Sequence, residues 1–246
     1  MHLQENPGFQ LLDRSSLAYR LNFREAVSTP NLDQYIAQGD PKDGKPFAER
    51  DLKPARVGFI RLQDAAEIDC VPMTWAQHVW ANLDAVRSTL PQEEQLHALA
   101  ATVLLKTHDD LFLLSKRSEN VRLYPGHWHV SAAGYVDCDK AQHAGCLLHA
   151  VFAEIDEEIN VTPRDLVFVE QLGLCRHTRA DTAVVDVCFH VRTTLTGEKV
   201  LGRAAGARDS YEGAVHLFPK DAVLEMIEAE PFVPSAIATI LLAFGQ

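Results

Sequence analysis

One segment of this chain, residues 134–161, combines an apolar helical pattern with a dense acidic cluster. Four of the five positions from 154 to 158 are acidic: Glu154, Asp156, Glu157 and Glu158. Apolar residues recur around them at steps of three and four: Leu147, Leu148, Val151, Phe152, Ile155 and Ile159. This spacing predicts a helix with one buried face. Other elements must therefore cover that face while the same helix carries a group of carboxylates.

Three of these acids share one stripe of the predicted helix. Glu157 and Glu158 follow Glu154 by three and four residues, which places them about one turn further along the same side. Like charges at this spacing destabilise a helix by roughly 0.2–0.5 kcal/mol per pair. A hard divalent cation with oxygen ligands, most simply magnesium, would neutralise them. A solvated acidic surface is the alternative interpretation of the same spacing.

The residues upstream favour the cation-binding interpretation. Residues 128–137 predict a short strand that runs into a glycine turn at Gly134, and the acidic helix follows. This order resembles the Nudix box of the pyrophosphohydrolases. In that family a glycine is followed by a glutamate and then by Arg-Glu-apolar-x-Glu-Glu-x-Gly-apolar. The residues that stand at family positions here are Glu154, Ile155, Glu157, Glu158 and Val161.

The box also departs from the family pattern. Ala153 stands where the family has arginine, and Asn160 stands where it has glycine. Asparagine tolerates the left-handed conformation that ends helices, so the second change is mild. The interval from the glycine to the helix is about five residues longer than usual, and Asp137 or Asp139 would replace the early glutamate. The arginine is thought to orient the glutamates, so another basic side chain is expected in its place: Lys140, His149 or Arg176.

The resemblance implies a set of site residues. It predicts Mg²⁺ as the cofactor, with Mn²⁺ as the alternative ion. The predicted metal ligands are the Gly134 carbonyl, Glu154, Glu157 and Glu158. The same three glutamates are the predicted catalytic residues, together with Glu212 from a distant loop. Substrate binding is assigned to four basic residues: Arg117, Arg176, His177 and Arg179.

The degenerate box, the longer loop and the preceding N-terminal residues look like the UDP-sugar diphosphatase branch of the family. That branch would cleave UDP-glucose or UDP-galactose to UMP and sugar 1-phosphate. A second hypothesis is a non-catalytic Nudix-like module that binds a nucleotide, since Ala153 removes the family arginine. Isopentenyl-diphosphate isomerase shares the Ser-Ala-Ala-Gly entry to the box, but no cysteine lies in the catalytic context which that enzyme requires.

A polar break at residues 91–95 predicts a boundary between an N-terminal α+β module, residues 1–95, and a Nudix domain, residues 96–246. The resemblance predicts an α/β/α sandwich with a mixed sheet for the second part. The predicted strands are residues 9–12, 17–23, 57–62, 96–106, 111–117, 166–175, 182–191 and 214–218. Besides the acidic helix, the predicted helices are residues 31–37, 73–90, 221–230 and 234 onward. Residues 201–213 are predicted to be a polar loop.

Composition narrows the partners. The formal net charge of the 246 residues is −11, which argues against a nucleic-acid backbone as partner. The resemblance to the Nudix family implies a small nucleoside diphosphate derivative as the ligand. Five scattered cysteines form no C-x-x-C pair and are predicted to be core residues. No apolar run approaches the ~20 residues that span a bilayer. A cytoplasmic protein without membrane contact is the expectation, and a homodimer is the assembly that many family members adopt.

Overall fold

The computed structural model describes most of the chain. The described residues are 8–13, 19–63, 67–121, 123–139, 141, 147–177, 183–208 and 213–245. Four of the cysteines lie in these ranges, and all four are buried free thiols, as predicted: Cys70, Cys138, Cys175 and Cys188. Cys146 falls outside the described residues. No helix in the described ranges is both long enough and apolar enough to span a bilayer.

Eleven described strands form one mixed sheet. They are β1 (Phe9–Asp13), β2 (Arg20–Phe23), β3 (Pro54–Gln63), β4 (Glu67–Thr74), β5 (His97–Lys106), β6 (Phe112–Arg117), β7 (Trp128–Val130), β8 (Ala132–Tyr135), β9 (Leu166–His177), β10 (Val184–Thr193) and β11 (Gly213–Phe218). The main path runs β1-β9-β10-β5-β3-β4-β2, while β5 also pairs with β6 and β8, and β6 pairs with β7 and β11. Two pairs are parallel, β10 with β5 and β2 with β4, and the others are antiparallel.

Helices cover both faces of this sheet. The described helices are α1 (Pro30–Ile36), α2 (Trp75–Ala81), α3 (Asp84–Arg87), α4 (Leu148–Ile159), α5 (Gly197–Ala204), α6 (Lys220–Ala229) and α7 (Pro234–Ala243). Val103 and Leu105 of β5 share a core cluster with Ile155 of α4. Leu104 lies between them in the strand and shares a second cluster with Ile240 of α7. The alternation of side chains along a strand places α4 and α7 on opposite faces, which confirms the predicted α/β class.

The buried centre of the sheet explains the apolar sequence of β5. All its residues from Ala98 to Leu105 are buried. A strand that is covered on both faces cannot alternate apolar and polar residues, so it reads as a continuous apolar run. The acidic helix was predicted correctly for a related reason, because its apolar residues repeat with the helical period over three turns.

The predicted helix over residues 73–90 is wrong. β4 continues to Thr74, α2 ends at Ala81, and α3 begins only at Asp84. Thr74 is the predicted N-cap: its side chain accepts a hydrogen bond from the Gln77 amide in a capping box. Asn82 marks the break, since its Nδ2 donates to the His78 carbonyl while its Oδ1 accepts from the Ala183 amide. Asparagine competes with the helix backbone in this way and favours helix ends.

The predicted loop over residues 201–213 is also wrong in its first part, since α5 runs to Ala204. The polar residues and glycines of this segment suggested a loop, but its first part is the end of a short amphipathic helix. Val200 and Ala204 are buried in the core cluster that contains α4. The Gly197 amide at the start of α5 donates to Asp109 Oδ1 over 2.9 Å. A contact with a turn nearly ninety residues away cannot be inferred from the local sequence.

Strands of the N-terminal part extend the sheet. Gly58 and Phe59 of β3 pair with Ala98 and His97 of β5. The Val57 amide donates to the Val136 carbonyl over 3.0 Å, one residue past the end of β8. The division of the chain at residue 95 stays a prediction. What matters for the site is that β3 lies directly beside the strand that carries Gly134.

Candidate functional site

Helix α4 brings two of its carboxylates to one cavity. Ile155 and Ile159 are fully buried on the sheet side of the helix. Glu154 and Glu158, which are one turn apart and half-buried, both line a cavity of about 700 Å³. The helix ends at Asn160, whose φ of 53° is the left-handed conformation predicted for this position. The two glutamates are thus held by a helix whose rotation is set by its apolar face.

Strand β8 receives both carboxylates where the sequence predicted a glycine turn. The Ala133 amide donates a hydrogen bond of 3.0 Å to Glu158 Oε1. A Cβ atom added to Gly134 would overlap the carboxylate of Glu154. Both residues belong to β8, where Ala133 and Gly134 pair with Thr102 and Ala101 of β5. The glycine is therefore required here by the close approach of Glu154, and the strand–glycine–helix order of the sequence has a direct steric meaning.

Glu157 has different surroundings. Its Oε1 accepts from Arg208 Nη2 over 2.8 Å, so an arginine balances its charge. It lines a second cavity of about 240 Å³, which it shares with Glu154, Asp137 and His149. Glu154 lines both cavities, whereas Glu158 lines only the large one and Glu157 only the small one. Asp137 and Asp139 were the two candidates to replace the early glutamate of the box. Asp137 lines the smaller cavity, whereas Asp139 is exposed and lines neither cavity.

Within the described ranges, no three His, Cys, Asp or Glu side chains form a group that could hold a metal ion by themselves. The donors at the large cavity are nevertheless of the type that suits magnesium. Glu154 and Glu158 offer carboxylate oxygens on one wall. Mg²⁺ keeps several waters and is usually bound through one or two carboxylates together with substrate phosphates. The two glutamates fit such an ion, with its remaining ligands supplied by solvent and substrate.

A cation that the sequence did not indicate lies beside these carboxylates. Arg56 of β3 lines both cavities. Its guanidinium contacts the rings of Trp75 and Tyr135, with its central carbon 4.6 and 4.5 Å from the ring centroids. Burial lowers the pKa of Arg56, while the charges of Glu154 and Asp137 act in the opposite direction. Arg56 is nearly a hundred residues from the box and was visible only as a basic residue preceding a predicted strand.

The basic residues expected to replace the box arginine occupy other places. Lys140 lies outside the described residues. His149 is exposed and borders only the smaller cavity. Arg176 Nη2 donates to Gln10 Oε1 over 2.7 Å on the surface and lines neither cavity. Arg56, in contrast, lies in the electrostatic field of Glu154, whose charge raises the pKa of Arg56 against the effect of burial.

A buried hydrogen-bond chain forms another wall of the large cavity. The Tyr124 hydroxyl is 3.2 Å from His177 Nδ1, and His177 Nε2 is 2.8 Å from Asp186 Oδ2. The Thr102 hydroxyl donates to Asp186 Oδ1 over 2.5 Å. Burial opposes ionisation of Asp186, but the bonds from His177 and Thr102 outweigh it and lower the pKa of this carboxyl. Tyr124 adopts a φ of 53°, an uncommon conformation for a tyrosine that often marks functional sites.

The other predicted substrate residues are placed as follows. Arg117 lines the large cavity, and its Nε donates to the Leu123 carbonyl over 3.1 Å. His177 lines the same cavity through the chain described above. Arg179 and Glu212 lie outside the described residues, so their assignments stay predictions. The sequence did not indicate the roles of Tyr124 and Asp186, because the pairing of β10 with β9 and with β5 is what brings His177 and Thr102 to Asp186.

Buried histidines make the stability of the fold sensitive to acid. Burial lowers the pKa of His129, on the cavity wall, to about 3. Burial also lowers the pKa values of His97 and His190 to about 4. Below pH 6.5 the unfolded chain takes up protons that these histidines cannot bind in the folded state. Their stabilising contribution is complete above that pH and is lost as the pH falls toward 4.

We expect the free energy of unfolding to decrease between pH 6.5 and 4 by up to about 1.4 kcal/mol per pH unit for each of these histidines. Urea denaturation at a series of pH values measures this slope. His190→Gln should reduce the slope, because glutamine does not titrate and the variant loses a histidine whose pKa burial lowers to about 4. His149→Gln, at an exposed position, is the matched control. A stability that is constant across this range would contradict the expectation.

Comparison with known proteins gives a fold-level likeness. No protein-family model matches the sequence, and no curated protein matches it. Solved structures that resemble it include DR0079 from Deinococcus radiodurans, at 15% identity and a TM-score of 0.40, over 60% of this chain and 82% of that one. Tm1382, described as a candidate Nudix hydrolase, matches at 19% identity and a TM-score of 0.43, over 61% of this chain and 73% of that one. The MutT protein from Methanosarcina mazei Go1 matches at 19% identity and a TM-score of 0.39, over 61% of this chain and 93% of that one.

These TM-scores lie below 0.5 and the identities below 25%.

Proposed function

We propose that this protein is a magnesium-dependent Nudix pyrophosphohydrolase that acts on a nucleoside diphosphate linked to a second group. The observation that carries the proposal is the approach of the α4 carboxylates to strand β8. Glu154 packs on Gly134, and Glu158 accepts from the Ala133 amide, at the wall of one cavity. Two carboxylates held against this strand form an anionic wall that a divalent ion can link to an anionic substrate.

In this mechanism Glu154 and Glu158 hold the ion through their carboxylate oxygens. When bound, magnesium supplies charge neutralisation of the diphosphate oxygens. Water attacks one phosphorus in line, the phosphoanhydride P–O bond breaks, and each product leaves with one phosphate. Glu158 is positioned to accept the proton of the attacking water, because the Ala133 amide fixes its other oxygen. Glu157, paired with Arg208, contributes to the field of the site from the smaller cavity.

The second group of the substrate is proposed to be a sugar, as in UDP-glucose or UDP-galactose, with UMP and sugar 1-phosphate as products. The cavity volume of about 700 Å³ falls within the roughly 300–1,000 Å³ of pockets that hold whole small molecules. Hydrogen-bonding groups away from the glutamates line it, namely Ser118, Asn120, Tyr124 and His177. Such groups suit a ligand with several hydroxyls, and the chain that ends at Asp186 positions two of them, Tyr124 and His177.

The second candidate function is a nucleotide-binding module without catalysis. Two observations favour it: Ala153 lacks the charge of the family arginine, and the described residues contain no self-sufficient metal-ligand group. This candidate predicts binding of a nucleotide without release of a phosphorylated product. It differs from the hydrolase in outcome and not in the location of the site.

Incubation with UDP-sugars, dinucleotides and nucleoside triphosphates tests the two candidates. The hydrolase predicts turnover of a diphosphate-linked substrate with Mg²⁺ or Mn²⁺ and none with excess chelator. Chromatography of the products identifies the bond that is cleaved. Calorimetric binding of the same compounds without turnover would establish the binding module instead. The homodimer and the cellular location stay predictions.

A further inference from the structure

We propose that Arg56 is a substrate-binding residue which donates to a phosphate oxygen of the ligand, so that the N-terminal part of the chain completes the site. This inference deepens the proposed function and rests on it for the identity of the ligand. Arg56 belongs to β3, outside the segment that resembles the Nudix box. It lines the large cavity together with Glu154 and Glu158, and the small cavity together with Glu157.

Two features fix the backbone and the side chain of Arg56. Its backbone forms an antiparallel bridge with Asp137, and the next amide, of Val57, donates to the Val136 carbonyl. Its guanidinium contacts both Trp75 and Tyr135, whose rings meet edge to face with their centroids 6.5 Å apart. Contacts with two aromatic rings restrict the orientations of the planar cation. The group is thereby oriented in advance, which reduces the entropy lost when a ligand binds.

The hydrogen-bonding state of Arg56 points to an acceptor from outside the chain. Its Nε is buried and has no hydrogen-bond partner. Burying a charged donor without an acceptor is costly, and buried polar groups in proteins are nearly always paired. Burial lowers the pKa of Arg56, which reflects the same free-energy cost of burying the charged guanidinium. Arg56 lines both adjoining cavities, so a phosphate oxygen there would accept from its guanidinium and offset this cost, and arginine binds phosphate through a planar fork.

A structural role is the competing explanation. The charges of Glu154 and Asp137 stabilise the Arg56 cation, so the residue could serve only as an internal counter-charge for the acidic helix. In that case its removal would disturb Glu154 without changing the direct affinity for phosphate. The two explanations differ in the binding of an anion that is measured without catalysis.

Titration calorimetry with inorganic pyrophosphate in the presence of magnesium makes this measurement. We expect Arg56→Gln to weaken binding by about 10- to 100-fold, the loss typical of a charge-assisted hydrogen bond. Arg56→Lys should weaken binding less, because it keeps the charge and loses the fork. Arg50→Gln is the matched control, since Arg50 carries the same charge, is 90% exposed and lines neither cavity. It should bind as the wild type does.

Guanidinium ion provides a second readout. Arg56→Ala leaves a space beside Trp75 and Tyr135, and added guanidinium should restore part of the affinity where sodium chloride at equal ionic strength does not. Wild-type affinity in the glutamine variant, or in the lysine variant if only that one folds, overturns the proposal. The outcome is separate from the proposed function. Arg56-dependent pyrophosphate binding without any turnover would refute the hydrolase alone, and turnover with Arg56-independent binding would refute this inference alone.

Discussion

Replacement of Glu158 by glutamine is expected to lower magnesium-dependent turnover by about 100-fold or more while the protein stays folded. Glutamine has the same shape, and its side-chain carbonyl can still accept the hydrogen bond from the Ala133 amide, which is 3.0 Å long in the wild type. What it loses is the negative charge and the ability to take a proton. General-base catalysis alone contributes roughly 10²- to 10⁴-fold. Initial rates on the best substrate, with thermal denaturation of the same samples, measure both parts of the expectation.

The matched control lies on the same helix. Asp156 is exposed and lines neither cavity, so Asp156→Asn removes an equal charge from α4 without touching the site. It should keep wild-type turnover within about threefold, because surface substitutions change stability by only roughly 0.5 kcal/mol. Equal rates for Glu158→Gln and the wild type would remove Glu158 from the mechanism. An equal loss of turnover in both variants would show that the net charge of the helix, and not the position of Glu158, causes the effect.

Replacement of Gly134 by alanine is expected to lower turnover by about 10- to 100-fold with little change in stability. The added Cβ would overlap the Glu154 carboxylate, which must then move away from the strand. Displacement of a reacting group by about 1 Å can cost on the order of 100-fold in rate. The atoms that give way are the end of a flexible side chain, and Gly134 does not have a positive φ, so the backbone tolerates alanine.

Gly202→Ala is the corresponding control. Gly202 lies in α5, and a Cβ there meets no atom within 4 Å. This variant should keep full activity and gain up to about 1 kcal/mol of stability, because alanine favours a helix over glycine. Comparing melting temperatures with rates for the two variants separates the steric effect on Glu154 from a general effect of losing a glycine. Unchanged turnover in Gly134→Ala would show that the position of Glu154 is not critical.

Helix α4 and strand β5 were predictable because their signals are local: each follows from a pattern of apolar residues within about twenty positions. The turn predicted at Gly134 is wrong, since Gly134 lies inside strand β8 and does not have a positive φ. Prediction failed where one distant contact decided the outcome. The break at Asn82 depends on the amide of Ala183, and the start of α5 depends on Asp109. A side chain that forms a hydrogen bond with a backbone group far away in the sequence produces no periodic pattern among its own sequence neighbours.

The candidate site shows the same division. The sequence alone determined that three glutamates share a stripe of one helix that follows Gly134, since the helical repeat sets that arrangement wherever the helix lies. Only the tertiary structure decided that Glu154 and Glu158 share a large cavity while Glu157 pairs with Arg208. It also decided that Arg56 is the neighbouring cation, because strand pairing in the sheet joins residues that the linear sequence keeps far apart.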